Sequence, residues 1–520
     1  MQPCDIFSYI FHLFDNKCAM LRLRNGRKNV NFAVKCDNTP KSMEITYEEF
    51  LRRALDALSY VPNEQQSAVL GALAKFCLRP YYEAELYSSD RVFVLNGYAG
   101  TGKTSLIGAI VASMRSLGIH VMLMAPTGRA AKVFGAYAKT RANTIHRKIY
   151  RHALGVGVPG MQENCEKNAV FIVDEASMIN TEADGWGRSL LTDLIHYVYS
   201  GEGCSLILVG DTAQLPPVGQ DISPAMDVEV LKGYGLKVTR ATLTAVARQG
   251  RMSGILANAT WQRRAMRQEP MPQPQIFTAG YDDVRITVPE DLLEVLSTAY
   301  GSEEGVESTI LVTRSNRRAT DFNRAIRGEV LYYEEEIVPS DLLMVAKNNY
   351  FWQKGVKGLD FVANGDIVRV EHVYGTETKY GCRFADVQVC LCDSTGPDGE
   401  PIVFDTKIIL DALGTDSPAL GAPRMQALYE AIMTEEAAGG EISKRLMNEI
   451  LRSSRYWNAL QVKYAYAVTC HKAQGGQWKN VIVDMLSIPP DAIGLEFYRW
   501  LYTATTRATS RLYFLTGQDE

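Results

Sequence analysis

The chain has 520 residues, 46% of them hydrophobic and 22% charged, and a formal net charge of −4 at pH 7. That length predicts several domains with sizeable cores, the balance is that of a soluble globular protein, and the net charge argues against a uniformly basic nucleic-acid binder. No apolar run reaches membrane-spanning length, and the N-terminus, with Asp5 and Asp15 flanking FSYIFHLF, does not read as a secretory signal. The ten cysteines are scattered without C-x-x-C pairs, so they read as reduced packing residues of a cytoplasmic protein rather than metal ligands.

In chain order, residues 1–60 show helical spacing in ITYEEFLRRALDALSY but no chemical motif, and are expected to form an N-terminal helical extension. Pro62-Asn63-Glu64-Gln65 then starts a helix. The Gln65 amide there suits an adenine edge, but taken alone it reads as a plain surface glutamine. Next comes RVFVLNGYAGTGKTSLIGAI, in which a β-branched run breaks into Gly97-Tyr98-Ala99-Gly100-Thr101-Gly102-Lys103-Thr104 and then into a helical pattern. This is G-x-x-x-x-G-K-[ST] in its required strand-loop-helix context. Backbone N–H groups of such a loop converge on one anion. Lys103 would neutralise β- and γ-phosphate oxygens, and Thr104 would offer its hydroxyl to the bridging Mg2+. An NTPase is therefore expected.

From Thr101 to Arg151 there are nine Lys and Arg and no Asp or Glu, a local positive surface on which a phosphate backbone would lie. HVMLMAPTGRAAKVF predicts a second strand-turn-helix unit, with its strand over 121–125. TIHRKIY follows, and a glycine-rich piece leaves room only for a short hairpin around 156–161. AVFIVDEASMI puts Asp174 and Glu175 at the carboxyl end of a parallel strand, where open α/β sheets bind ligands. Asp174 is placed to hold Mg2+ and Glu175 to deprotonate an attacking water. CSLILVGDTAQLPPVG repeats the pattern and sets Gln214 in a turn facing the γ-phosphate.

The second half has its own αβ rhythm in STILVTRSNRRATDFNRAIR, VKYAYAVTCHKAQG and LYTATTRATSRLYFL. Between Asn364 and about Trp457 the pattern alternates with period two, with turns expected at Tyr374-Gly375, Tyr380-Gly381 and Gly396-Pro397-Asp398-Gly399. That predicts a small antiparallel barrel, followed by an acidic helical piece over 425–452. The expected fold is α/β: two RecA-like P-loop lobes, with a small β-barrel inserted in the second.

The phosphate loop, APTGRAAK, TIHR, DEAS, GDTAQLPPVG, ARQ (Ala247–Gln249), TCHKAQG and YTATTRA, in this order, resemble the superfamily 1B helicases, in wording the RecD-like group to which the phage Dda helicase is related. The resemblance covers roughly 60–520. It implies domain 1A over 61–240 with a short 1B hairpin near 150–168, domain 2A over 241–340 and 458–520, and an SH3-like 2B insertion over 341–457, introduced by Asn348 to Tyr350 and Asn364-Gly365-Asp366. By resemblance, Gln65 reads adenine, Asp174 and Glu175 are metal ligand and base, Gln214 senses the γ-phosphate, and Arg248 and Arg507 reach that phosphate from the second lobe. Pro126, Thr127, His146, Thr469 and His471 fall in motifs that line a single-strand channel. Gln477 stands where the family's motif usually has the Glu that would contact the ribose.

The implied activity is ATP- and Mg2+-dependent translocation on single-stranded DNA, 5′ to 3′. Contacts to the backbone carry no sugar information, so RNA stays open. A protein partner would dock on the N-terminal extension or the 2B insertion. The rival reading is an ATP-gated nucleic-acid-binding or loading module without processive unwinding, told apart by directional movement. A small-molecule kinase would need an acceptor site in place of TCHKAQG and TTRA.

Overall fold

A computed structural model describes residues 46–82, 90–150, 160–182, 188–245, 253–301, 305–359, 361–396, 398–436, 443–486 and 488–517. The first lobe is a six-stranded parallel sheet of β1 (Arg91–Gly97), β2 (Val121–Ala125), β3 (Ala142–Thr144), β4 (Val170–Val173), β5 (Ser205–Gly210) and β6 (Lys237–Leu243), in the order β3-β2-β4-β5-β1-β6. Every residue of β1 and β5 is buried, as a parallel sheet covered on both faces requires. Alternation along β1 divides the core: Phe93 and Leu95 join one apolar cluster, while Val92 and Val94 join another on the opposite face.

The described part of the expected N-terminal extension is helix Tyr47–Asp56, capped by Thr46. It packs into this lobe. Phe50 and Ala54 are fully buried in the same cluster as Phe93, and Ser113 donates to the Phe50 carbonyl at 2.8 Å.

The second lobe begins with β7 (Val284–Thr287) and β8 (Thr309–Thr313), after which the chain departs into a closed barrel of β9 (Leu342–Val345), β10 (Ile367–Lys379), β11 (Cys382–Thr395), β12 (Pro401–Ile409) and β13 (Leu460–Tyr464). It returns as β14 (Ala467–Thr469), β15 (Trp478–Asp484) and β16 (Ala508–Leu515), completing a parallel sheet ordered β14-β8-β15-β16-β7. Helices Ala422–Glu436 and Lys444–Ser453 lie between β12 and β13; Leu428 and Ile432 pack against Phe384 and Ile409 of the barrel.

Three expectations are corrected. The barrel is not wholly antiparallel, because β13 pairs parallel with β12 to close it. Tyr374-Gly375 is not a turn: β10 runs through it, and the register shift between Val373 and Gly375 absorbs one residue as a bulge. The turn is at Tyr380-Gly381, where φ values of 52° and 70° suit a tight hairpin. VKYAYAVT, expected as the strand of a strand-turn-helix unit, is two strands. Val462 pairs with Val345 in the barrel, whereas Val468 pairs with Val312 in the second lobe. Asn323 clamps the switch by accepting from the Tyr466 and Ala467 N–H groups and donating to the Ala467 carbonyl. The buried Arg327–Asp341 pair, with two 2.8 Å bonds, and the Tyr466 hydroxyl on Asp341 sit at the same junction.

Candidate functional site

The carboxyl ends of β1, β4 and β5 converge on one cleft of about 680 Å³, whose opposite wall comes from the second lobe. Gly97 ends β1. A Cβ there would lie 2.7 Å from Lys103 Cγ, so the lysine stem folds over the loop only because residue 97 is glycine. Gly100 and Gly102 take φ of 76° and 85°, a left-handed conformation that costs other residues about 1–2 kcal/mol. Helix Lys103–Ser116 then starts with its N–H groups directed at the loop. The Lys103 ammonium donates to the Tyr98 carbonyl at 3.1 Å and to the Gly97 carbonyl. Gly100, Gly102, Lys103 and Thr104 line the cleft, while Thr101 is fully buried behind it, its hydroxyl donating to the Tyr98 carbonyl.

Asp174 and Glu175 follow β4 and also line the cleft. Asp174 Oδ1 accepts from the Glu175 N–H at 2.9 Å. Burial and the adjacent Glu175 charge push the Asp174 carboxyl up to about 7, against the pull of the Lys103 ammonium. A divalent cation would reverse that and keep the carboxyl ionised. Glu175 itself has φ 51° and ψ 35°, a left-handed conformation for a non-glycine residue of the kind that collects at functional sites. Gln214 is 4% exposed, and its Oε1 has no hydrogen-bond partner among the described residues. An orphaned buried oxygen costs about 1–3 kcal/mol, so this one calls for a donor from the cleft.

From the second lobe, Gln477, Thr506 and Arg507 face the same space. The Arg507 guanidinium is held by the Thr503 carbonyl at 3.0 Å, the Gly476 carbonyl at 3.2 Å and Thr506 Oγ1 at 3.2 Å. Those bonds occupy three of its five N–H donors. Arg248 lies outside the described residues.

Gln65 does not line the cleft. Its Oε1 accepts from the Thr244 and Ala245 N–H groups at 2.9 and 3.0 Å, and its amide donates to Thr244 Oγ1. The neighbour the sequence reading passed over, Gln66, is the one on the wall. It is 1% exposed and donates to the Thr101 carbonyl, with Asn63 beside it. A repeated Gln-Gln at a helix start leaves the choice to helix phase.

The expected strand-channel residues sit at or next to the ends of strands and short helices. Pro126 and Thr127 follow β2, with Thr127 capping helix Gly128–Ala138; His146 lies on helix Ile145–Ile149; Thr469 ends β14 and His471 lies on the short helix Cys470–Ala473. The Thr127-Gly128 turn meets the barrel so closely that a Cβ on Gly128 would lie 1.9 Å from Ala363 Cβ, and Lys132 pairs with Asp366 at 2.9 Å. The basic run around this turn is not a continuous positive surface. Arg129 lies 4.1 Å from the Trp478 ring, and Lys148 pairs with Glu166 at 2.8 Å. The expected 1B hairpin falls mostly on residues 151–159, outside the described set, and Tyr150 bridges Met161 across them. Among the described residues no helix is long and apolar enough to cross a membrane, and no cluster of His, Cys, Asp and Glu is arranged to hold a metal.

Residues 80–269 match the AAA domain family and residues 464–515 the UvrD-like helicase C-terminal domain family. The chain is 36% identical to the ATP-dependent RecD2 DNA helicase of Deinococcus radiodurans over 159 residues, which are 30% of this chain and 18% of that protein. It is 32% identical to the ATP-dependent DNA helicase dda of Enterobacteria phage T4 over 130 residues, 24% of this chain and 28% of that protein. An uncharacterized protein of Acanthamoeba polyphaga mimivirus, R530, aligns at 22% identity over 82% of this chain and 96% of its own length. The chain thus spans less than a third of either named helicase. Two parallel sheets that meet at a phosphate loop, DEAS and GDTAQLPP on one side and TTRA on the other, with these relatives, make the chain similar to the superfamily 1B helicases of the RecD-like group.

Proposed function

We propose that this chain is an ATP-driven motor that moves along single-stranded DNA, 5′ to 3′, by hydrolysing ATP between its lobes. One observation carries the reading: Lys103, Thr104, Asp174, Glu175 and Gln214 of one lobe and Arg507 of the other line a single cleft. The cleft fits Mg2+-ATP by the glycine cradle at residue 97, the hydroxyl and carboxylate of Thr104 and Asp174, and the orphaned Gln214 oxygen. Mg2+ held by Thr104 and Asp174 would neutralise charge on the β- and γ-phosphates.

The remaining work falls to the chain. Lys103 leaves its loop carbonyls for the phosphates, Glu175 takes the proton of the attacking water, and Gln214 orients that water against the γ-phosphate. Arg507 stabilises the charge that develops when the lobes close. Gln66, whose amide is held by the Asn63 N–H and the Thr101 carbonyl, braces the phosphate loop, and Gln65 stays our assignment for adenine. Pro126, Thr127, His146, Thr469 and His471 are assigned to the strand path, with the barrel from β9 to β13, which runs past the expected boundary at 457, as the 2B insertion and a site for a protein partner. Among the described residues the free thiols of Cys77, Cys165, Cys204, Cys382, Cys390 and Cys470 fit a reducing, cytoplasmic setting.

Lys103→Ala is expected to lower ATP turnover about 10²–10³-fold, the usual cost of removing one charge-stabilising donor; near-parental turnover would remove the loop from the chemistry. The reading as a whole is tested by ATP hydrolysis with single-stranded DNA, with RNA of the same sequence, and with neither, at fixed salt. Streptavidin displacement from each end of a biotinylated strand gives the direction. Stimulation by DNA with displacement from the 3′ end is expected. Stimulation without displacement from either end would leave a gated clamp, and no stimulation would end the motor reading.

A further inference from the structure

Tyr502 joins the lobes at a point the nucleotide chemistry above does not use. It lies on helix Leu495–Thr505 of the second lobe, is fully buried, and belongs to a small apolar cluster with Ala213 and Ala259, against which Tyr98 and Ala99 pack. Its hydroxyl donates to Asp211 Oδ2 at 2.7 Å and accepts from the Ala99 N–H at 2.8 Å. Both partners belong to the first lobe. Ala99 is in the phosphate loop, and Asp211 frames the turn that carries Gln214: its carbonyl accepts from the Gln214 N–H at 3.2 Å and its Oδ1 from the Ala213 N–H at 3.0 Å.

The same helix turn also holds the arginine. Thr503, the next residue, accepts at its carbonyl from Arg507 Nε at 3.0 Å and at its hydroxyl from the Leu215 N–H at 2.9 Å. One phenol thus ties the loop under the phosphates and the Gln214 turn to the helix end that presents Arg507. Burial and the Asp211 carboxylate hold the phenol's pKa well above its usual value, so it stays a donor throughout the physiological range.

We propose that Tyr502 is a positioning residue that couples Arg507 to the phosphate loop and to the Gln214 turn, so that hydrolysis depends on this hydroxyl. The inference rests on the motor reading and deepens it. In a closed cleft, misplacement of the guanidinium by about an ångström costs about 10²-fold, while contacts that only bind nucleotide are left in place. The predicted signature is a loss in kcat without a matching loss in affinity.

The test is Tyr502→Phe in the full chain, which keeps the ring and removes the oxygen. ATP turnover at saturating single-stranded DNA, the KM for ATP, the affinity for a fluorescent ADP and the melting temperature are measured beside the parent. The expected result is a tenfold or greater fall in kcat, with KM and ADP affinity within threefold. A kcat within twofold of the parent overturns the proposal, and so does a parallel fall in kcat and ADP affinity, the mark of a merely structural role. If Tyr502→Phe does not fold, Asp211→Asn weakens the same hydrogen bond by removing its charge; a threefold or larger fall in kcat with ADP affinity kept is expected, and an unchanged kcat overturns the proposal. A parent that DNA does not stimulate ends the motor reading instead, and the same split is then read on turnover without DNA.

Discussion

Arg507→Ala is expected to lower DNA-stimulated ATP turnover about 10³–10⁵-fold, the range found for arginines that reach a phosphoryl transition state from across an interface. The residue is 4% exposed and fixed by Thr503, Gly476 and Thr506. Its charge is therefore preorganised on the second lobe and meets the first-lobe groups across one cleft. Preorganised charge that acts chiefly in the transition state changes kcat far more than binding. Fluorescent ADP should bind the variant within a fewfold of the parent. Arg507→Lys keeps a charge but loses the planar fork that spans Thr503 and Gly476, so it should restore little. Parental turnover in Arg507→Ala would take Arg507 out of the reaction, and parental turnover in Arg507→Lys alone would show that its charge suffices without the fork.

Glu175→Gln should lower turnover about 10²–10⁴-fold, the share usual for a general base. Its carboxylate follows β4 in a left-handed conformation beside Asp174, so the amide replacement keeps size and backbone while deleting the proton acceptor. Because the phosphate contacts remain, the variant should accumulate bound to ATP and hold single-stranded DNA tightly. That state is read by filter binding or anisotropy with ATP present. Weaker DNA binding in ATP than in ADP would count against Glu175 as the base and favour Asp174 in that role.

How much of this was legible in the sequence follows from the range of the interactions. The runs over Val92, Val121, Val170 and Leu206 were readable as buried parallel strands because each is continuously apolar and ends at a glycine, a proline turn or a polar pair. The phosphate loop was readable because left-handed φ at Gly100 and Gly102 and the close approach at Gly97 demand glycine locally. Lys103, Thr104, Asp174, Glu175, Gln214 and Arg507 lie where strands end or where a short motif punctuates the chain, and the structure brings all six to one cleft.

What only the tertiary structure decided are features whose partners lie far along the chain. Nothing within VKYAYAVT says that Val462 pairs with Val345 and Val468 with Val312, since both halves are apolar and suit either sheet. Period two runs unchanged through Tyr374-Gly375, so a bulge and a turn look alike until β11 supplies the opposing register. Gln65 and Gln66 are chemically identical, and helix packing alone sends one to Thr244 and the other to the cleft. Tyr502 looks like one more core aromatic until Ala99 and Asp211, 403 and 291 residues away, close on its hydroxyl. By itself, then, the sequence determined which chemical groups stand at the cleft, because backbone strain and strand ends are local. Folding decided the partners, because burial leaves a hydrogen-bonding group only those neighbours that the packed chain brings to it.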